Sequence, residues 1–174
     1  MMLWVRAAIF TLLIPGVVAG LIPYLLSLSM YSQAGFGWVR FPGIPVLAGG
    51  VLLYLVSLLS FVVRGGGTPA IWFVRPFRFL IGEEPGRLVG QAVYRHTRNP
   101  MFLGVLLSVF GQGLLFDDLS YHLYGVGLLA IFHGVIVFLE EPHLKEKYGD
   151  AYLECCKKTL RWIDLPKGQK GAID

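Results

Sequence analysis

Four long apolar blocks, separated by basic or turn-forming stretches, constrain this chain more than any other feature. They run roughly over residues 3–28, 44–63, 100–116 and 119–139. A helix rising 1.5 Å per residue needs about 20 residues to cross ~30 Å of hydrocarbon, so each block reads as a span. The third is short and is expected to tilt little or to sit partly in the interface. Only 15% of the 174 residues are charged, and 55% are hydrophobic. Soluble domains average about 25% charged residues, so a disordered chain, a charged rod and an ordinary water-soluble domain are all excluded. The expected fold class is all-α integral membrane, with about four transmembrane helices, an interfacial segment and a C-terminal amphipathic helix.

The first block contains Pro15, Gly16 and Pro23. Such breakers are tolerated in lipid where neighbouring helices re-satisfy the backbone, so a kink is expected there. Arg6 and the small residues Val18-Ala19-Gly20 give this block some likeness to a signal peptide. Its apolar run continues through Leu21, Ile22, Leu25 and Leu26, which favours a retained helix.

The basic residues set the expected orientation. Of the 15 lysines and arginines, 14 lie at the N-terminus, between blocks two and three, or after block four. Arg40 alone falls on the other side, with Asp117 and Asp118. The positive-inside rule then places both termini in the cytoplasm. The formal charge of +4 flanks apolar blocks and forms no soluble patch, so anionic lipid headgroups are the expected partner and nucleic acid is not. The adjacent Cys155 and Cys156 make neither a disulfide framework nor a zinc pattern and read as small packing residues.

Between blocks two and three, Ala70 to Ile81 is aromatic and apolar with two arginines. Pro76 prevents a straight helix. The stretch is expected in the headgroup region, with Trp72, Phe73, Phe77 and Phe79 inserted and Arg75 and Arg78 snorkelling. Gly65-Gly66-Gly67-Thr68-Pro69 lacks a following Lys-Ser/Thr and reads as a turn off the membrane, not a phosphate loop.

Two clusters could carry chemistry. Tyr94-Arg95-His96-Thr97-Arg98-Asn99-Pro100 leads into block three, with Asn99 suited to cap the helix and Pro100 to begin it. Free amides at that helix start, with Arg95, Arg98 and His96, suit a carboxylate or phosphate. A capped helix with arginines on lipid phosphates is the plainer alternative. Glu140-Glu141-Pro142 ends block four, where paired carboxylates oppose the helix dipole and are costly near hydrocarbon. Pro142 is expected to push Glu141 toward an extended conformation and break the helix. A cation resting at the break is one reading, and a cap by Glu141 is the other. Residues 143–158 then form an amphipathic helix, with Leu144, Tyr148, Ala151, Tyr152 and Cys155 on one face and a break at Gly149. Gly104, Gly111 and Gly113 thin the third span, either for close helix packing or for a bulky ligand. His122 and His133 are about 16 Å apart on a helix and cannot share a metal ion, and no metal-ligand spacing is present.

The order Tyr94 to Gly104, Gly113, Glu140-Glu141-Pro142-His143-Leu144, Tyr148 to Tyr152 and Arg161-Trp162-Ile163 resembles the isoprenylcysteine carboxyl methyltransferase family. That family belongs with the membrane phospholipid methyltransferases. The resemblance covers about residues 65–165, and its compact form is similar to the bacterial members. It implies an S-adenosylmethionine-dependent methyltransferase acting on a lipophilic acceptor at the cytoplasmic face of a bacterial inner membrane. By the resemblance, Tyr94, His96, Arg98, Asn99, Pro100, Phe102, Leu103 and Gly104 form one wall of the cofactor pocket. Glu140 and Glu141 form the other. Glu141, His96, Arg95 and Arg161 are the candidates for base or acceptor anchor. Phe102 departs from the tyrosine common in the family. The implied organisation is two N-terminal helices over 1–64, a catalytic region over 65–165 and a frayed tail over 166–174. A non-enzymatic membrane accessory protein on the same fold, or a remotely related sterol-type reductase, remain alternatives.

Overall fold

A computed structural model of the chain describes residues 2–65, 94 and 96–162. Within them α1 covers Met2–Leu13, α2 Ile22–Met30, α3 Gly43–Ser60, α4 Pro100–Phe116, α5 Leu119–Val135, α6 Glu141–Tyr148 and α7 Asp150–Lys158. Wide π-helical turns cover Val17–Leu21, Phe61–Gly65 and Ile136–Glu140, and a 3₁₀ turn covers Gly37–Arg40. Three continuous helical stretches, Leu3–Met30, Gly43–Val63 and Leu119–Tyr148, are long and apolar enough to cross a membrane, and Pro100–Phe116 is a shorter apolar helix. The all-α membrane architecture follows. The proposed interfacial stretch 70–81 and Arg95 lie outside the described residues.

The prolines of the first span act through the backbone. Pro23 has no N–H, so it can donate neither to the Ala19 carbonyl at α spacing nor to the Val18 carbonyl at π spacing. Both oxygens take their protons from other helices. Gln112 Nε2 donates to Ala19 O at 2.8 Å and Tyr124 Oη to Val18 O at 2.8 Å. In hydrocarbon no water could do this, so two polar side chains on α4 and α5 are spent on completing the first span.

Helices α3 and α4 run antiparallel with their backbones in contact. Glycines seven residues apart on each helix face one another, Gly43 against Gly111 and Gly50 against Gly104. A Cβ on Gly50 would meet Ser108 N at 2.7 Å and Gly104 O at 2.8 Å; one on Gly104 would meet Tyr54 N at 2.8 Å. Gly104 and Gly111 therefore serve close packing. The surface is inverted relative to a soluble protein. Leu12, Leu28, Val63, Leu123 and Phe138 are exposed, whereas Ser57 and Asp118 are fully buried. Apolar exposure on this scale suits a protein solvated by lipid tails.

At the end of the bundle remote from α6, two connecting segments are stitched together. Asp118 caps α5, accepting from Ser120 N at 2.9 Å, Ser120 Oγ at 2.7 Å and Ser32 N at 3.4 Å. Asp117 adopts left-handed dihedrals, φ 54°, and its Oδ1 accepts from Phe36 N at 2.9 Å. Burial by itself would raise the Asp118 pKa, but the hydrogen bonds from Ser120, Ser27 and Ser32 outweigh it and hold the carboxyl below its usual value.

Two measurements check this packing. Gly50→Ala should lower stability in detergent by about 1–3 kcal/mol, because backbone atoms cannot yield to the new methyl group. Gly49→Ala, which meets nothing within 4 Å, should leave the melting temperature unchanged. Asp118→Ala should cost about 1 kcal/mol at neutral pH through the lost cap. The Asp118 pKa is lowered by folding, so its contribution is present above the unfolded pKa and is lost as pH falls through the folded one. The gap between wild type and Asp118→Ala should accordingly close in acid.

Candidate active site

The two polar clusters meet at one end of the bundle, where α4 begins and α5 gives way to α6. The sequence pattern predicts that Pro142 drives Glu141 out of helical geometry. Instead, Glu141 keeps right-handed helical dihedrals, φ −61° and ψ −42°. The wide turn over Ile136–Glu140 absorbs the disruption, and Pro142 falls in the first turn of α6, where its missing N–H is tolerated. Residues turn about 100° apart on a helix, so the adjacent carboxylates part company. Glu140 lines a cavity, while Glu141 is buried against two arginines.

Glu141 and Arg161 form a bidentate pair, Nε to Oε1 at 2.8 Å and Nη2 to Oε2 at 3.0 Å. Arg98 Nη1 approaches Glu141 Oε1 at 3.2 Å and donates to Cys156 Sγ at 2.8 Å and to Tyr152 Oη at 3.4 Å. Two guanidiniums thus share the Glu141 carboxylate. Arg98 Nε is buried with no hydrogen-bond partner among the described residues. Glu141 neither caps α6 nor rests free at a break.

Asn99 occupies the N-cap position of α4, but its side chain caps nothing. Its Nδ2 donates to the Arg161 carbonyl at 3.0 Å. Thr97 Oγ1 donates to the same carbonyl at 3.3 Å and accepts from Asn99 N at 3.1 Å, and Arg98 N donates to Leu160 O at 3.1 Å. The segment after α7 is thereby held against the start of α4. Beyond it, Trp162 Nε1 donates to His133 Nδ1 at 3.3 Å, with the two rings stacked.

The cavity measures about 240 Å³. Its polar end is formed by Tyr94, Arg98, Asn99 and Glu140; its apolar wall includes Phe10, Phe61, Phe102 and Phe132. Phe102 and Phe132 meet edge to face at 4.7 Å between centroids. The Tyr94 hydroxyl is buried, and burial, with the nearby Glu140 charge, raises its pKa well above the usual tyrosine range, so it stays protonated. Burial likewise keeps Tyr152 protonated, reinforced by Cys156 and Glu141.

The structure thus gathers Tyr94, Arg98, Asn99, Pro100, Phe102 and Glu140 on one cavity. Glu141 and Arg161 join it through Arg98. His96 is exposed, Leu103 is half-buried away from the cavity, and Gly104 packs on α3. Sequence reasoning missed Thr97, Tyr152 and Cys156 as neighbours of the arginines. Tyr152 lies on the apolar face expected of α7, but Ala151, placed there too, is exposed. Removing one partner of a buried pair strands the other charge, at about 3–5 kcal/mol. Glu141→Ala strands two guanidiniums and should depress the melting temperature more than Arg161→Ala, which leaves Glu141 with Arg98.

A sequence model of the family described as phospholipid methyltransferase matches residues 43–151. The match starts with α3, earlier than the motifs that carry the resemblance, and it includes the glycine-packed helix pair as well as both carboxylates. No curated protein and no solved structure gives a significant match. A match over more than half of the chain, with an all-helical membrane fold and the polar clusters joined at one span end, makes this chain a member of the phospholipid methyltransferase family, a family of membrane methyltransferases.

Proposed function

We propose that the protein transfers a methyl group from S-adenosylmethionine to a lipophilic acceptor at the cytoplasmic face of the membrane. The observation that carries this reading is Arg98. It lines a largely apolar cavity, reaches Glu141 through Nη1, and keeps a buried Nε–H without a partner among the described residues. An unsatisfied buried donor is costly. A carboxylate in the cavity would satisfy it.

The residues present fit the cofactor. Arg98 suits its carboxylate, Glu140 on the cavity wall suits its cationic groups, and the Phe102–Phe132 pair offers a ring surface. When bound, the cofactor supplies an already activated methyl group. The protein's task is then positioning and exclusion of water, with no protein nucleophile required. Arg98 and Asn99 orient, and the phenylalanines keep the cavity dry. For a carboxylate acceptor, Arg161 could serve as anchor once it exchanges Glu141 for the substrate. For an amine or thiol acceptor a base is useful. Glu140 lines the cavity, whereas Glu141 is engaged by two guanidiniums and His96 is exposed. The basic residues that follow the spans favour the cytoplasmic face.

S-adenosylhomocysteine should raise the melting temperature of the protein in detergent. At about 100 times its dissociation constant it would add roughly 2.7 kcal/mol. Arg98→Lys keeps the charge on Glu141 but loses Nε and the planar fork, so it should fold and lose that stabilisation. Failure of the wild type to respond would sink the reading. Turnover on a panel of prenylcysteine, phospholipid amine and lipophilic thiol acceptors then identifies the acceptor.

A further inference from the structure

The chain end beyond α7 holds a polar arrangement that neither the family match nor the pocket requires. Thr97 is only 3% exposed, and its hydroxyl is fully engaged. The O–H donates to the Arg161 carbonyl, and the oxygen accepts from the Asn99 amide. Asn99 Nδ2 supplies a second donor to the same carbonyl, and Arg98 N grips Leu160 O one residue earlier. Three consecutive residues, Thr97, Arg98 and Asn99, thus clamp two consecutive carbonyls of the returning segment. The clamp fixes the main chain of Arg161, whose side chain takes both oxygens of Glu141.

We infer that Thr97 is a positioning residue that acts through Arg161: by holding the Arg161 backbone it seats that guanidinium on both oxygens of Glu141, so that Arg98 meets Glu141 through Nη1 alone and keeps Nε for the cavity. The functional part of this inference rests on the methyl-transfer reading; the positioning itself does not. Without the clamp, Arg161 can leave Glu141, and the carboxylate then draws on Arg98. A cofactor carboxylate would lose the donor that Arg98 offers. Thr97 touches no ligand in this scheme. Valine has the shape of threonine without the hydroxyl, so Thr97→Val removes the clamp at little steric cost. Thr97→Ser restores the hydroxyl.

The test measures hydrogen exchange of the Arg98 amide, which the Leu160 carbonyl holds, and S-adenosylhomocysteine affinity on the full chain in detergent. The proteins are wild type, Thr97→Val, Thr97→Ser, Arg161→Ala and the Thr97→Val/Arg161→Ala double variant. Thr97→Val should speed exchange of the Arg98 amide by about five-fold, the factor expected for one lost hydrogen bond. Thr97→Ser should stay within about two-fold of wild type. Affinity should fall by a similar factor in Thr97→Val and not fall further when Thr97→Val is added to Arg161→Ala, since a residue acting through Arg161 has nothing left to act on. Unchanged exchange in Thr97→Val would overturn the positioning, as would additive losses of affinity in the double variant. If wild type binds no S-adenosylhomocysteine, the methyl-transfer reading fails and the exchange rates alone decide whether Thr97 seats Arg161.

Discussion

The absence of water from the hydrocarbon layer is the constraint on which the rest of this structure depends. Every backbone oxygen inside the layer needs a donor from the protein. Pro23 withholds one from the first span, and Gln112 and Tyr124 replace it from two other helices. That repair ties the first span to α4 and α5, which also wall the cavity. Hydrophobic burial cannot drive helices together in lipid, so the α3–α4 contact relies on main-chain proximity instead. Gly50 and Gly104 give that proximity, and Tyr54, one turn along α3, reaches across to Thr11 on α1 at 2.8 Å.

Against that frame the charged cluster has a clear logic. A carboxylate at the end of a spanning helix opposes the helix dipole and loses hydration. Glu141 is tolerable there because two guanidiniums surround it. One comes from the start of α4 and the other from the chain beyond α7, so the ion cluster joins parts of the chain that the spans alone leave separate. Arg98 lies beside a largely apolar cavity, where low dielectric strengthens its interaction with an anion.

Much of the architecture was legible in the sequence because lipid solvation leaves strong marks. Apolar runs of span length give the helices, and Asn99-Pro100 marks where α4 starts. The pairing of the two polar clusters was legible only through the family motifs. What escaped sequence reading depends on long-range geometry. Nothing local to Asn99 says that its amide turns away from the helix to a carbonyl some sixty residues later. Nothing in the Glu-Glu-Pro pattern says that a wide turn will precede it and spare the helix. Gly43 and Gly50 look like any small residues of a span until their partners Gly111 and Gly104 are known. Asp117 and Asp118 read as loop charges, yet Asp118 is buried as a cap because the segment after α2 folds over it.

The wide turn at Ile136–Glu140 has an evolutionary consequence. A π turn is in effect one residue inserted into an α-helix. Everything after it is rotated by about 100° relative to an uninterrupted helix. That rotation determines which of two neighbouring glutamates meets the cavity and which meets the arginines. A relative with the same residues but no wide turn would aim its Glu140 where Glu141 points here and would present Leu139, not a glutamate, to the cavity. Aligned residue letters in this family can therefore conceal a change of role, and the length of the turn is as much a part of the site's identity as the glutamates themselves.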